Sequence, residues 1–209
     1  VALARIYISE KDFTGAEAEL IKAIESNPGD VNASLRLGDF YMSLNRKDKG
    51  ISVYKKIVET GLKSEPALVR LAENSLNEGK LQESTGYVEK ILKANPKSVE
   101  GQLMKGRIHL TKREFDEAIL YIQPFCKDYP KSAPGHYYLA QAHFGNKDLK
   151  QAQTHASEAV RLRPRWIEPR VLLAEILMLG GSHAKALAEI NRVLEQAPLN
   201  SRAILMAGD

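Results

Sequence analysis

The sequence predicts an all-α solenoid of antiparallel helix pairs, and three observations carry that prediction. Prolines fall at Pro28, Pro96, Pro130, Pro164 and Pro198, each gap being 34 residues or twice that, with Leu62 in the one missing place. Small residues recur at the same interval in two columns. Large apolar residues flank those columns at spacings of three and four, the period of a helix rather than a strand.

The first helix of each unit carries Ala4, Gly38, Ala72, Gly106, Ala140, Ala174 and Gly208, and the second Ala16, Gly50, Ser84, Ala118, Ala152 and Ala186. Side chains this small let two helix backbones approach closely, which predicts a tightly packed pair in every repeat. Leu3, Leu37, Leu71, Leu139 and Leu173 precede the first column, with Tyr7, Tyr41, His109, His143 and Leu177 one turn on. Leu20, Tyr54, Val88, Ile122 and Ile190 complete the buried stripe from the second helix.

Each proline ends a helix because it has no N–H to donate and disfavours helical geometry in the residue before it. Two residues later stands a short polar side chain, Asp30, Ser64, Ser98, Ser132 or Asn200, able to accept from the free N–H groups of the next first turn. Trp166 takes that place in "RPRWIEPR", which predicts an irregular junction. Lys105 stands in the Leu column and Ser75 in the Tyr column. Pro124, inside a second helix, predicts a bend and a Leu120 carbonyl without its helical partner.

Composition narrows the function classes. With 209 residues, 44% apolar and 27% charged, the chain can bury a core. Its longest apolar runs, such as "VLLAEILML", fall short of the roughly 20 residues that cross a bilayer. The net charge of +4 comes from residues 105–209, with 15 basic against 11 acidic side chains, while residues 1–104 balance at 15 each. That excess does not by itself argue for nucleic acid. One cysteine, Cys126, excludes an internal disulfide framework and reads as a small buried hydrophobe. The chain opens and closes inside helical patterns, "VALARIYI" and "SRAILMAGD", and is expected to be a piece of a longer protein. Its compartment, cytoplasmic or periplasmic, is left open.

On these residues the chain resembles the tetratricopeptide repeat family. The pattern of Leu-Gly then Tyr on the first helix, Ala then a large residue on the second, and Pro near the end stands here as "LRLGDFY" with Tyr54, and as "GKLQES" running to "VEKILKANP". The fixed 34-residue period separates it from the RNA-reading pentatricopeptide repeats, which run at about 35 with polar base-reading positions. The resemblance spans the chain as one array, with repeats near 1–30, 31–64, 65–98, 99–132, 133–166 and 167–200 and a partial seventh at 201–209. It implies a right-handed superhelical solenoid with a concave groove, acting as a non-enzymatic scaffold for a peptide or protein segment. A longer bacterial repeat protein is the expected setting. Self-assembly through the end repeats, and a regulatory region attached to an enzyme, remain alternatives.

The sequence offers no chemistry of its own. It has no HExxH, no phosphate-cradling glycine loop and no GxSxG elbow. His136 and His143 lie seven apart on one helix face, roughly 10 Å, too far to share an ion unaided. His109 and His143 occupy the Tyr column and read as core. No metal, cofactor or catalytic residue is expected.

By the resemblance, a stripe on each first helix faces the groove, in the order apolar, polar, apolar: Leu35, Asp39, Met42; Val69, Glu73, Leu76; Leu103, Arg107, Leu110; Tyr137, Gln141, Phe144; Val171, Glu175, Met178. The Lys and Asn clamp with which some relatives hold a C-terminal carboxylate is absent. Leu35, Val69 and Leu103 are expected to pack first helix on first helix. Met104, Arg107, Tyr137, Tyr138, Gln141, Phe144 and Glu175 form the candidate partner-binding set, because aromatic and Arg side chains bring large contact area at small entropy cost. A basic patch of Arg161, Arg163, Arg165, Trp166 and Arg170 is the second candidate. Arg36 with Asp39 and Arg70 with Glu73 read as intrahelical pairs. The expected partner is a protein or peptide, with neither nucleic acid nor membrane insertion and with self-association possible.

Overall fold

A computed structural model describes residues 2–61 and 64–208. Thirteen helices and no strand occur among them: α1 (Ala2–Ser9), α2 (Phe13–Ser26), α3 (Val31–Ser43), α4 (Lys47–Thr60), α5 (Glu65–Asn77), α6 (Leu81–Ala94), α7 (Val99–Thr111), α8 (Phe115–Asp128), α9 (Ala133–Gly145), α10 (Leu149–Leu162), α11 (Ile167–Leu179), α12 (His183–Gln196) and α13 (Ser201–Gly208). They form two compact units, residues 1–101 and 102–209.

The small columns lie where helix meets helix. Ala16, Ala72, Ser84, Ala118, Ala140, Ala152, Ala174 and Ala186 are wholly shielded from solvent. The Ser84 hydroxyl donates to the Ala72 carbonyl at 2.8 Å, one column bonded to the other. A Cβ on Gly106 would lie 2.3 Å from Ile122 Cγ1, so the partner side chain already fills the space a methyl would need. Leu37, Leu71, Leu139 and Leu173 are buried as expected, whereas Leu3, on the first helix, is 44% exposed.

The junctions follow the proline ruler with two corrections. Asp30, Ser98, Ser132 and Asn200 each accept from a first-turn N–H of the following helix. Ser64 does not; it is itself in helical geometry, and Pro66 and Glu65 open α5 instead. The missing proline place, Leu62, lies outside the described residues. The helix before it ends at Gly61, whose left-handed φ of 70° stops α4 in the manner of a glycine C-cap. The Trp166 junction, expected to be irregular, keeps the same turn as its counterparts: Trp166 N–H donates to Arg163 O at 3.0 Å, as Ser132 does to Tyr129. The backbone needs only an extended residue there; what is lost is the side-chain cap. Through Pro124, α8 remains one continuous helix, with Leu120 on its exposed side where water can serve the carbonyl.

A further column closes each pair. Lys11, Asn45, Gly79, Arg113, Lys147 and Gly181 all have φ between 57° and 74°, and they recur every 34 residues. After each of them an N–H reaches back five residues, as in Asp148 to His143 O at 2.9 Å and Lys80 to Ser75 O at 2.8 Å, the bond that ends a helix on a left-handed residue. A side chain in this geometry costs about 1 kcal/mol relative to glycine. Lys11→Gly is therefore expected to raise the urea midpoint by an amount worth about 0.5–1 kcal/mol, and Gly79→Ala to lower it by about 1 kcal/mol. Unchanged midpoints in both variants would contradict the turn assignment.

Some charged pairs run between repeats. Arg70 does not rest on an intrahelical pairing alone: its guanidinium grips Asp39 of the preceding repeat, Nε to Oδ1 at 2.5 Å and Nη2 to Oδ2 at 2.8 Å. Tyr54 donates to the same Oδ1 at 2.7 Å, and these bonds hold the Asp39 carboxyl below its usual range against the opposing effect of burial. Glu17 likewise takes the Tyr41 hydroxyl at 2.8 Å and Arg46 Nη1 at 2.9 Å.

Candidate functional site

Helix α9 carries the aromatic concentration, and packing decides which of its side chains face outward. Leu139, Ala140 and Ala142 go to the core. Tyr137 and Phe144, on the neighbouring stripe, lie half-buried against the core cluster to which α11 contributes Leu172, Leu173, Ile176 and Leu177. The Tyr137 ring meets Trp166 at 4.9 Å, tilted by 59°, and Tyr138 at 5.3 Å. Gln141, one turn on, donates from Nε2 to the Tyr137 hydroxyl at 3.0 Å. Burial raises the Tyr137 phenol to about 12, so it stays a neutral donor.

Two hollows open on either side of Tyr137. One of about 560 Å³ is lined by Leu110, Thr111, Arg113 and Phe115 from α7, α8 and their turn, by Gln141, Phe144, Gly145 and Lys147 from α9 and its turn, and by Leu172 and Arg202. The other, about 340 Å³, is lined by Arg165, Trp166, Ile167, Glu168, Val171, Asn200 and Arg202. Tyr137 and Arg202 line both, so the two hollows adjoin and flank these side chains as one trough. Glu175 lines neither hollow and is paired with Arg202.

The candidate set divides on this geometry. Tyr137, Gln141 and Phe144 line the trough, and Glu175 orients one of its arginines. Met104 is buried, 3% exposed, and carries Arg107 on its sulfur at 3.2 Å, so it supports a surface residue instead of presenting itself. Tyr138 lines neither hollow and stacks under the Arg107 guanidinium at 5.1 Å.

The basic patch divides: Arg163, Arg165 and Trp166 line one hollow with Pro164, while Arg161 and Arg170 are engaged by carboxylates. Arg161 is held by Glu158, Nη2 to Oε1 at 2.6 Å. Arg170 is buried, binding Glu189 with Nη1 and donating from Nη2 to the Pro164 carbonyl at 3.0 Å. Arg163 lies over the Trp166 ring at 5.8 Å. Arg165 and Trp166 remain, and both belong to the trough. Arg202, Arg113 and Lys147 were missed in the sequence. Their charge was visible, but only the turn geometry and the contact of α13 with α11 bring them to Tyr137.

The histidines form a stack that spacing alone did not show. His136 and His143 on α9 flank His155 of α10, with ring centroids at 5.2 and 5.7 Å and planes within 23° and 7°. His136 Nε2–H donates to the Pro130 carbonyl at 3.0 Å, which leaves its Nδ1 bare to accept from His155 Nδ1–H at 3.0 Å. One repeat on, Arg170 and Glu189 hold the same two column positions and make the same contact to a proline carbonyl. The stack is thus one version of a recurrent clasp between paired helices. Among the described residues no group of three or more His, Cys, Asp or Glu could hold a metal ion. Burial pushes the Cys126 thiol up to about 12, leaving it protonated and inert. No described helix is long and apolar enough to cross a membrane.

Comparison with known proteins agrees with this architecture. Tetratricopeptide repeat family models match residues 2–74 and, in overlapping windows, 69–133, 103–166 and 137–201. The chain belongs to the tetratricopeptide repeat family. No curated protein matches it. Among solved structures it is similar to a chain of the APC/C hetero-tetramer Cut9-Hcn1, with TM-score 0.86 and 14% identity over 99% of this chain, and it spans only 41% of that one. It is also similar to a thermophilic repeat protein of Thermus thermophilus, with TM-score 0.72 and 20% identity over 85% of this chain and 96% of that one. A third likeness is to YrrB, described as a TPR protein with an unusual peptide-binding site, with TM-score 0.59 and 17% identity over 91% and 98%. At such identities the likeness carries the fold alone.

Proposed function

We propose that the chain is a non-enzymatic scaffold that binds an extended peptide or protein segment in the groove centred on Tyr137. The observation that carries this reading is the trough itself. Aromatic and apolar side chains, Tyr137, Phe144, Trp166 and Leu172, form its floor, and hydrogen-bonding groups and cations stand at its rim. That is the anatomy of an interaction surface, a desolvated centre with a polar border. The family is one of protein-interaction scaffolds, and the described peptide-binding site of YrrB supports the same use of this fold.

Selection of twelve-residue peptides from a displayed random library tests the reading. Recovered peptides are expected to bind the Phe144→Ala, Trp166→Ala variant at least tenfold more weakly, because about 2 kcal/mol per lost central aromatic is typical of such sites. The variant's helical circular dichroism is expected to match wild type, since both side chains are only partly buried. Equal binding to a folded variant would place recognition elsewhere.

A further inference from the structure

The charges around the trough point to the kind of segment it takes. Arg113 and Lys147 are exposed, sit on the α7–α8 and α9–α10 turns, and line the larger hollow without a carboxylate within 4.0 Å among the described residues. Among the described residues no Asp or Glu lines that hollow. In the smaller one Arg165 faces a single acid, Glu168, while Arg202 is neutralised by Glu175. The remaining polar groups add donors: having accepted from Gln141, the Tyr137 hydroxyl still has its own proton to give. Beside these donors lie Phe144, Leu172 and Phe115, which can shield an apolar side chain.

We propose that the groove selects acidic segments, extended stretches in which Asp or Glu side chains flank a large apolar residue. The carboxylates meet Arg113, Lys147 and Arg165, and the apolar residue lies in the larger hollow against Phe144 and Leu172. This rests on the peptide-groove reading and adds the chemistry of the ligand. A nucleic acid fits less well. Three cations fall short of the six to ten phosphate contacts of a typical duplex binder. The Tyr137 and Trp166 rings are tilted onto each other, not laid out as a stacking platform for bases. Charge complementarity of this sort acts mainly on partner choice and encounter rate, and fades with salt.

The left-handed geometry of Arg113 and Lys147 supplies a clean test. Glycine suits both positions, so Arg113→Gly, Lys147→Gly removes two charges without straining the fold. The probes are an array of twelve-residue peptides rich in Asp, Glu, Leu and Phe, a matched array with Asn and Gln for the acids, and a twelve-nucleotide single-stranded RNA. The acidic array is expected to bind wild type at least tenfold more tightly than the matched array at 50 mM salt. That preference should shrink at 0.5 M salt and drop at least fivefold in the glycine variant. Equal binding of both arrays, lost in the Phe144→Ala, Trp166→Ala variant, would overturn the charge assignment and leave the groove standing. An RNA bound more tightly than any peptide would overturn it in favour of nucleic acid. Retention of neither array would bring down the groove reading and this one together.

Discussion

Gly38→Leu is expected to lower the melting temperature by about 10 °C, the largest single effect foreseen on stability. A Cβ at that position would lie 2.3 Å from Tyr54 Cε1 and 2.9 Å from its Cζ, well inside contact distance. The ring has nowhere to go. Tyr54 is 2% exposed, its hydroxyl is bound to Asp39, and Asp39 is held by Arg70 of the next repeat. Moving the ring breaks that junction as well as the packing within the pair. Overpacking a tight core by one or two methylenes costs about 1–3 kcal/mol, and a leucine here about 4 kcal/mol. At about 2–4 °C per kcal/mol for a chain of this size, that is the shift stated. Ala152→Leu, in the second small column and wholly buried, is expected to act likewise. Thermal melts followed by far-ultraviolet circular dichroism decide the matter, and wild-type melting in both variants would refute the close approach of the paired helices.

Acid is expected to weaken the carboxyl-terminal unit through the histidine stack. Burial first, and then the neighbouring His136 and His143, lower His155 to about 4, while Glu158 works weakly the other way. Burial also lowers His143, opposed by Asp148, whose Oδ2 lies 3.8 Å from its Nδ1. In the folded protein His155 therefore stays neutral where the unfolded chain, at about 6.5, takes up a proton. A depressed histidine contributes its stability in full above the unfolded value. The contribution drains away as the pH falls from about 6.5 toward 4. The shift corresponds to on the order of 2 kcal/mol once residual water access is discounted. Urea midpoints measured from pH 7.5 to 4.5 should fall more steeply for wild type than for His155→Gln, which cannot take up the proton. Parallel pH profiles would remove the stack from the account of acid stability. The variant should also be less stable at pH 7.5, since it gives up two ring contacts.

The fold was legible in residue spacing because a repeat array writes its packing rule once per repeat. A small residue is demanded wherever two backbones touch, and a helix must stop wherever the chain reverses. The columns from Ala4 to Ala174 and from Ala16 to Ala186, and the prolines with their caps, record those two demands. The sequence by itself thus determined the family, the helix pairs, the buried stripe, and α9 as the aromatic-bearing helix. The failures were local. Ser64 could not cap because its own backbone is in helical geometry, unlike the other cap residues, and Met104 was drawn under by the core.

The tertiary structure alone decided which distant side chains share a space. Tyr137 and Trp166 lie 29 residues apart and Arg202 lies farther still, yet all three line one trough. Arg170 and Arg161, neighbours of Trp166 in sequence, are drawn off by Glu189 and Glu158. Likewise His155 completes its stack across a helix pair, and Arg70 reaches a full repeat back to Asp39. Contacts between helices depend on the angle and rotation of each helix about its axis, quantities that a one-dimensional period does not contain. A long charged side chain can follow several routes from one Cα, and only the neighbours in space select among them. The period set what had to be small and where the chain had to turn; the packed helices chose which charges and rings remain available to a partner.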